Sequence, residues 1–571
     1  MMNLKRSFAF LLSVFILNTA AAQQQRMVDF VGGARSIMTN NQLMVHDSIA
    51  DTSTVKRNTG GYALIDLGVN IRPNSTTEIL GTFRIRNNYG GFWGAGVTVD
   101  VRELWLKGII GNIVRYQVGD LNLKQTPFTL YNHHADRFDS LPSVFALQND
   151  IVRYERFYSN NTWRQQGANV DFGFTFAKFI DEINFNVYTT RLNASNFSTI
   201  PDRLFSGATV NVVQSNHFEI NYNVATVFDV KGTAAATNNF HNTINTINTS
   251  YGATAGAFDW KISGEAGQSD YAYSEAPDAS DLSDYFIYAK GEIKWNAKHI
   301  SLNGGYLNVG PDFRSVGAQS KDINYSSLTG YYERYTNAQG IRPYSLYDLL
   351  SNDAIYNTGI STQIAPINAT VNNVMPYGIA TFNRVGGFAG INYSNPKGFY
   401  LTASHFMLSE IRGQGTNALK DFTSSEVNGA VEINKLLNLK KTIKVQGGTS
   451  YMTTTRTGNI SLEDVDLNTI KYQVGAEVEV SKGLDLLFGI VNLNSKGNEF
   501  IAERDIYTVA DYFNKVDYKL DQSITAYGLR YRFDSKIYIC GLFQHTKYTD
   551  GMHNNADYSV DQFSLIYNMT F

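Results

Sequence analysis

The sequence has a single cysteine, Cys540, and only 10 prolines in 571 residues. One cysteine excludes an intrachain disulfide framework and a cysteine-based zinc site. Charged residues make up 17% of the chain, against about 25% in an average soluble protein. The formal net charge of −3 gives no electrostatic case for a nucleic-acid partner. Beyond the N-terminal segment no apolar run reaches about 18 residues, so no membrane-spanning helix is predicted. The catalytic signatures G-x-S-x-G, H-E-x-x-H and the Walker loop are missing, as is an EF-hand loop. The nine histidines are scattered except for His133-His134. That pair, with Asp136, could touch a metal, but adjacent loop side chains often do not converge. No catalytic, cofactor-binding or metal-ligating residue is assigned, no cofactor is expected, and the chain is not read as an enzyme.

What is plentiful is aromatic: 35 tyrosines and 35 phenylalanines, with 47 glycines. These residues fall on alternate positions. Ile470, Tyr472, Val474, Ala476, Val478 and Val480 alternate with Lys471, Gln473, Gly475, Glu477 and Glu479. Tyr527, Leu529, Tyr531 and Phe533 alternate with Gly528, Arg530 and Arg532. The final residues place Phe563, Leu565, Tyr567, Met569 and Phe571 on one face, with Ser564, Asn568 and Thr570 on the other and Ile566 out of phase. Period-two alternation is the signature of a strand between two unlike environments.

The gaps between alternating segments are short and long by turns. Short ones fall at Pro73-Asn74-Ser75, Gln214-Ser215-Asn216, Asn395-Pro396-Lys397, Ser481-Lys482-Gly483 and Asp534-Ser535. Three long polar stretches lie near 122–164, 309–382 and 497–521. The first strand, near Met27 to Arg35, is weakly patterned. Lipid cannot hydrogen-bond an exposed backbone, so a sheet that crosses a membrane must close on itself. The pattern predicts an all-β fold: a transmembrane antiparallel up-and-down β-barrel of about 22 strands (range about 20–24), with short periplasmic turns and long extracellular loops.

The chain opens on Lys5 and Arg6, an apolar run from Phe8 to Leu17, and Ala20-Ala21-Ala22. This is the layout of a secretory signal peptide over residues 1–22, leaving residues 23–571 as one barrel domain. The Ala-Ala-Ala-Gln-Gln-Gln junction is similar in style to those of exported Bacteroidota proteins.

The terminal strand resembles the C-terminal assembly signal of bacterial outer-membrane β-barrels, carried here by Phe563, Leu565, Tyr567, Met569 and Phe571. Across the mature length the pattern is similar to porin-like outer-membrane barrels. The phrase Val101-Arg102-Glu103-Leu104-Trp105-Leu106-Lys107-Gly108 through Val118-Gly119-Asp120 resembles a porin hairpin. The likeness to TonB-dependent transporters fails, because alternation begins soon after Gln23 and no plug domain precedes it.

The porin resemblance implies a Gram-negative outer-membrane location, with lipid and the outer-membrane insertion machinery as partners. It implies a channel for passive passage of small solutes. The alternative is a non-conducting barrel subunit of a secretion, assembly or surface-display complex, with other outer-membrane subunits as partners. Lumen-facing candidates are the charges in polar phase: Arg84, Arg86, Arg115, Glu219, Lys290, Glu292, Lys444, Lys471, Glu477, Arg530 and Arg532. Both signs occur, so strong ion selectivity is not expected.

Overall fold

The computed structural model describes residues 27–47, 52–90, 96–133, 141–157, 159–235, 238–275, 281–325, 343–552 and 557–571. The expected signal peptide, residues 1–22, lies outside these residues.

The chain forms one closed antiparallel barrel. Its strands are β1 (Val28–Asp47), β2 (Thr52–Asn74), β3 (Thr77–Asn88), β4 (Val97–Ile110), β5 (Val114–Leu123), β6 (Trp163–Thr175), β7 (Glu182–Asn193) and β8 (Arg203–Ser215). There follow β9 (Phe218–Asp229), β10 (Phe240–Ala255), β11 (Phe258–Tyr273), β12 (Leu282–Trp295), β13 (Ile300–Val309), β14 (Arg384–Asn395) and β15 (Phe399–Ser409). The remainder are β16 (Asp421–Glu432), β17 (Ile443–Arg456), β18 (Val465–Ser481), β19 (Leu484–Arg504), β20 (Ala510–Arg532), β21 (Ile537–Asp550) and β22 (Tyr558–Thr570). Each strand pairs with its neighbours in sequence, and β1 pairs with β22 in register from Gly33↔Thr570 to Val45↔Tyr558. The amide of Gly32 donates to the carbonyl of Phe571 and the amide of Phe571 to that of Gly32, each at 3.0 Å, carrying the seam to the last residue.

An even strand count brings both ends to one rim. Connections from an even strand to the next odd one lie at that turn rim, and those from odd to even lie at the opposite loop rim.

The outward face is apolar. Ile247, Ile262, Leu302, Val474 and Leu529 project from it and are exposed. Near the turn rim it carries paired rings: Phe172 with Phe185, Tyr251 with Trp260, Phe258 with Trp295, Tyr393 with Phe399 and Tyr531 with Phe533. Such a belt marks the edge of an apolar band in this class of barrel.

The loop half of the interior is packed. The connection between β5 and β6 carries the helix α1 (Ser143–Glu155), and the one between β13 and β14 carries the short helix α2 (Leu346–Ser351). Val144, Phe145, Ile151, Leu349 and Leu350 from these helices join Leu487, Val491 and Ile524 of the wall in one buried cluster. Phe128, Phe313, Val374 and Tyr377 join Phe286, Leu307 and Phe422 in a second. Leu130 and Val316 join Trp163, Phe205 and Tyr271 in a third. Each such side chain contributes about 1.5–3 kcal/mol on burial, so both connections are held inside by ordinary hydrophobic packing.

Two elements differ from the sequence reading. Residues 497–521 are mostly strand, since β19 runs to Arg504 and β20 begins at Ala510, leaving 505–509 as the connection. β1 likewise runs to Asp47, far past Arg35. In the upper part of β20 the apolar phase is inverted: Val516, Tyr518 and Leu520 alternate with Lys515, Asp517 and Lys519, on the opposite phase from the exposed Tyr527, Leu529 and Tyr531. The outward apolar alternation stops there while backbone pairing, such as Gly497↔Tyr518, continues.

The two faces can be separated at neighbouring positions. Ile247 is 54% exposed on the outside of β10, and Asn248 lines an interior cavity with Glu219 and Glu265. Ile247→Arg should lower stability by about 2–4 kcal/mol where the band meets lipid. Asn248→Arg, placed beside two carboxylates, should leave the folded fraction close to wild type. Heat-modifiable gel migration after refolding into lipid vesicles measures both, and equal folded fractions would overturn the assignment of faces.

Candidate functional site: the charged lumen and its inserted helix

The inward phase of the strands decides what the lumen contains. In the turn half, Arg530 and Arg532 of β20 converge on Asp485 of β19, which is fully buried. Arg530 donates through Nε to Asp485 Oδ2 at 2.9 Å and pairs through Nη2 with Glu477. Arg532 donates to both Asp485 oxygens at 2.7 and 2.8 Å, with Glu479 3.5 Å away. Lys444 stands opposite Glu477 in the β17–β18 register, while Lys471, in the loop-side half of β18, stands opposite Ser450. Across the barrel, Lys290 and Glu292 pair at 3.3 Å, and Glu219 accepts from Ser250 Oγ at 2.8 Å. These three line an interior cavity of about 300 Å³. Arg115 lines a cavity of about 440 Å³, has a side chain 71% exposed, and pairs with Asp171 at 3.7 Å. The candidates of the turn half therefore form three separate groups, two of them beside cavities large enough for water.

In the loop half, Arg84 and Arg86 belong to a different structure. The helix α1 starts against β18 and β19, where Gly475 and Gly489 are register partners. A Cβ on Gly475 would lie 2.4 Å from Pro142 Cβ, and one on Gly489 2.6 Å from Val144 Cγ1. Two glycines facing each other thus make the seat for the start of the helix. Its far end meets arginines from β1, β3, β4 and β6. Arg84 binds Asp66 through two bonds of 2.7 and 2.8 Å and donates to the Glu155 carbonyl at 3.2 Å. Arg102 donates to the Tyr154 carbonyl at 2.7 Å and lies 3.2 Å from Asp66. The Glu155 carboxylate takes Arg35 at 2.9 Å and Arg86 at 3.2 Å, and the Tyr62 hydroxyl donates to it at 2.5 Å.

The last carbonyls of a helix carry partial negative charge, and cations placed there are stabilising. The rings add to this. Arg102 stacks over Tyr154 at 4.0 Å and over Phe157 at 4.2 Å, and Arg164 over Phe157 at 4.2 Å. Arg164 also pairs with Asp120 at 3.1 Å. Burial, and then its bond to Asp66, push the Tyr154 phenol above its ordinary pKa, so it remains a donor. The wall sets Arg35, Arg84, Arg86, Arg102 and Arg164 against Asp66, Asp120 and Glu155, which leaves it net positive.

Sequence phase placed Arg84 and Arg86 inward but gave no sign of their partners. Glu155 sits in a helix inside a polar connection. Arg102 turns inward at a register shift between β3 and β4. Asp66 and Arg35 had a detectable signal, since Asp66 alternates with Ile65 and Leu67. Of the terminal-strand residues, Phe563, Leu565 and Phe571 are exposed, with Tyr567 and Met569 half-buried in the same phase. Ile566 is buried on the inward face with Ser564. Asn568 accepts from Arg35 at 3.2 Å. His133 forms an isolated bridge with Lys321, while His134 and Asp136 lie outside the described residues.

No family model matches the sequence, and no curated protein does. Solved structures with a similar outline include the FrpB iron transporter from Neisseria meningitidis, at a TM-score of 0.46 and 8% identity over 95% of this chain and 81% of that one. Others are a BenF-like porin from Pseudomonas fluorescens (0.36, 9%, 95% and 99%) and the P pilus usher PapC translocation pore (0.34, 6%, 94% and 100%). Likenesses this distant establish nothing about activity.

Glu155→Ala removes the carboxylate shared by Arg35 and Arg86. Breaking one partner out of a buried pair costs about 3–5 kcal/mol, a cost that should fall on the seating of α1 and not on the barrel. Hydrogen exchange of residues 143–155 should accelerate strongly while that of β18 and β19 stays unchanged. Unchanged exchange in α1 would show that the arginine wall does not hold the helix.

Proposed function

We propose that this protein is a porin-like channel of the bacterial outer membrane that passes small solutes passively, with its turns and both termini in the periplasm and its long loops outside. The observation that carries this reading is the closed barrel with an apolar outer face and a charged, partly hollow interior. The connections that bear α1 and α2 narrow the loop half, where transit is most restricted. The turn half holds mixed charges whose signs largely cancel locally, so solutes of either sign enter it.

A second reading has one observation in its favour. The inserted connections are packed against the wall on several sides, as suits a non-conducting barrel that serves as a subunit of an outer-membrane complex.

Planar-bilayer recording separates the two. The wild-type protein should give small, discrete conductance steps. Replacing residues 143–155 by a Gly-Ser linker should raise the step size several-fold, because α1 occupies the lumen. Silence of both proteins, with folding shown by heat-modifiable migration, would sink the channel reading and favour the second.

A further inference from the structure

Glu265 of β11 stands on the inward face, 8% exposed, between its register partners Asn248 of β10 and Tyr288 of β12. It lines the interior cavity of about 300 Å³ that also holds Glu219, Lys290 and Glu292. A second cavity, of about 470 Å³, shares Glu219, Ser250 and Lys261 with the first and reaches Asn216 and His217 in the β8–β9 turn. The space beside Glu265 therefore continues to the turn rim.

The charges around this cavity leave one carboxylate over. Glu219, Glu265 and Glu292 line it against Lys261 and Lys290. Lys290 pairs with Glu292 at 3.3 Å, and Glu292 also accepts from Ser301 Oγ at 3.2 Å. Glu219 accepts from Ser250 Oγ at 2.8 Å. Lys261 is exposed and stands four residues from Glu265, about 13 Å along the strand. In the adjoining cavity Asp259 adds an acid, opposite Lys294 in the β11–β12 register. Counting that pair leaves the surplus unchanged.

Glu265 is the carboxylate least well served. Among the described residues it has no cation within ion-pair distance, and its Oε1 has no hydrogen-bond partner. The hydroxyls of Thr126 and Thr246 lie beside it, and both have other partners. Thr126 Oγ1 meets Thr129 Oγ1 at 3.1 Å, and Thr246 Oγ1 accepts from Asn223 Nδ2 at 3.2 Å. The Tyr288 ring is stacked on Phe388 at 5.8 Å and tilted against Phe128 at 5.9 Å, which fixes its place on the cavity wall. A carboxylate withdrawn from water without a counter-ion is costly. A cation supplied from solution removes that cost through charge-assisted hydrogen bonds. An aromatic ring beside the carboxylate favours an ammonium ion, which its π-system attracts.

We propose that this cavity is a binding site for a small organic ammonium ion, its charged head held by Glu265 and its carbon body lying against Tyr288. The site goes beyond the channel reading and does not depend on it, since the ligand enters from the turn rim and occupancy is measured at equilibrium without flux.

The test is ligand-observed fluorine NMR on the folded full-length protein in a non-ionic detergent at neutral pH. The probe is 4-fluorobenzylamine, with 4-fluorobenzyl alcohol as the uncharged match and 4-fluorobenzoate as the match of opposite sign. The amine should bind about tenfold or more tightly than the alcohol, a difference of ~1.4 kcal/mol, and the benzoate no more tightly than the alcohol. Glu265→Gln should weaken the amine by a similar factor and leave the alcohol unchanged. Asn248→Arg keeps the carboxylate and sets a tethered guanidinium opposite it in the register, so it should exclude the amine as well. Equal affinity for amine and alcohol, benzoate that binds as tightly as the amine, or a Glu265→Gln protein that binds the amine as wild type does would each overturn the proposal. Potassium ion that displaces the amine at equal or lower concentration would overturn it too, and assign the site to an inorganic cation. A protein silent in bilayers that still binds the amine keeps this site and loses the channel. A conducting protein that binds none of the three does the reverse.

Discussion

Every N–H and C=O along a sheet edge needs a partner, and in hydrocarbon neither water nor a loop supplies one. The pairing of β1 with β22 removes the only two edges this sheet would have. The placement of everything else follows from that ring. It fixes which phase of each strand looks inward, gathers the turns at one rim, and makes a cylinder into which the β5–β6 and β13–β14 connections can fold. The reciprocal bonds between Gly32 and Phe571 are the last rung. Gly32, where the seam starts, has no room for a side chain, since a Cβ there would lie 2.0 Å from the Asp66 carbonyl of β2.

Within the ring, two kinds of charge arrangement divide the interior. Near the turn rim, carboxylates and arginines from adjacent strands pair along the wall, as Asp485 does with Arg530 and Arg532. They brace the wall and leave space beside them. Farther in, arginines from four strands reach across to one helix end. There the wall's charge is satisfied by an element that is not part of the wall, so the lumen's filling and its electrostatics are one structure. Removing the helix would leave several guanidiniums facing each other, which is why its presence matters beyond the apolar area it buries.

The barrel was readable because its strands stand between two unlike surroundings. Ile470 to Val480 shows this cleanly, with every second residue apolar and lysine, glutamine or glutamate between. The same logic explains what was hidden. In β20 near Asp517 the contrast is inverted: Val516, Tyr518 and Leu520 lie on the inward face and Lys515, Asp517 and Lys519 on the outer one, so the outward apolar phase stops and a paired hairpin reads as a loop. Glu155 was invisible for another reason. Its role is set by Arg35, Arg86 and Tyr62, which are remote in sequence, and by a helix whose seat is cut by Gly475 and Gly489 on the far wall. Residues such as Arg84 could be assigned a direction from phase alone. What they would meet there depends on connections whose path no local pattern records. Ile566, the one apolar residue out of phase in the terminal strand, belongs to the same group: it is buried on the inward face, in the cluster that the α1 and α2 connections complete.

The seam also sets a timetable. Its partners lie almost a full chain length apart, so it is among the least local contacts this sequence can make, and such contacts form slowly. Until β22 is in place, β1 and β21 each present a bare row of amides and carbonyls, the kind of template on which foreign strands add. A nascent or truncated chain is thus adhesive for as long as it is unfinished. The α1 and α2 connections are tethered to strands at both ends and emerge at one rim. They can enter the lumen before or after closure without threading the chain, so the slow step is the ring itself and not its filling.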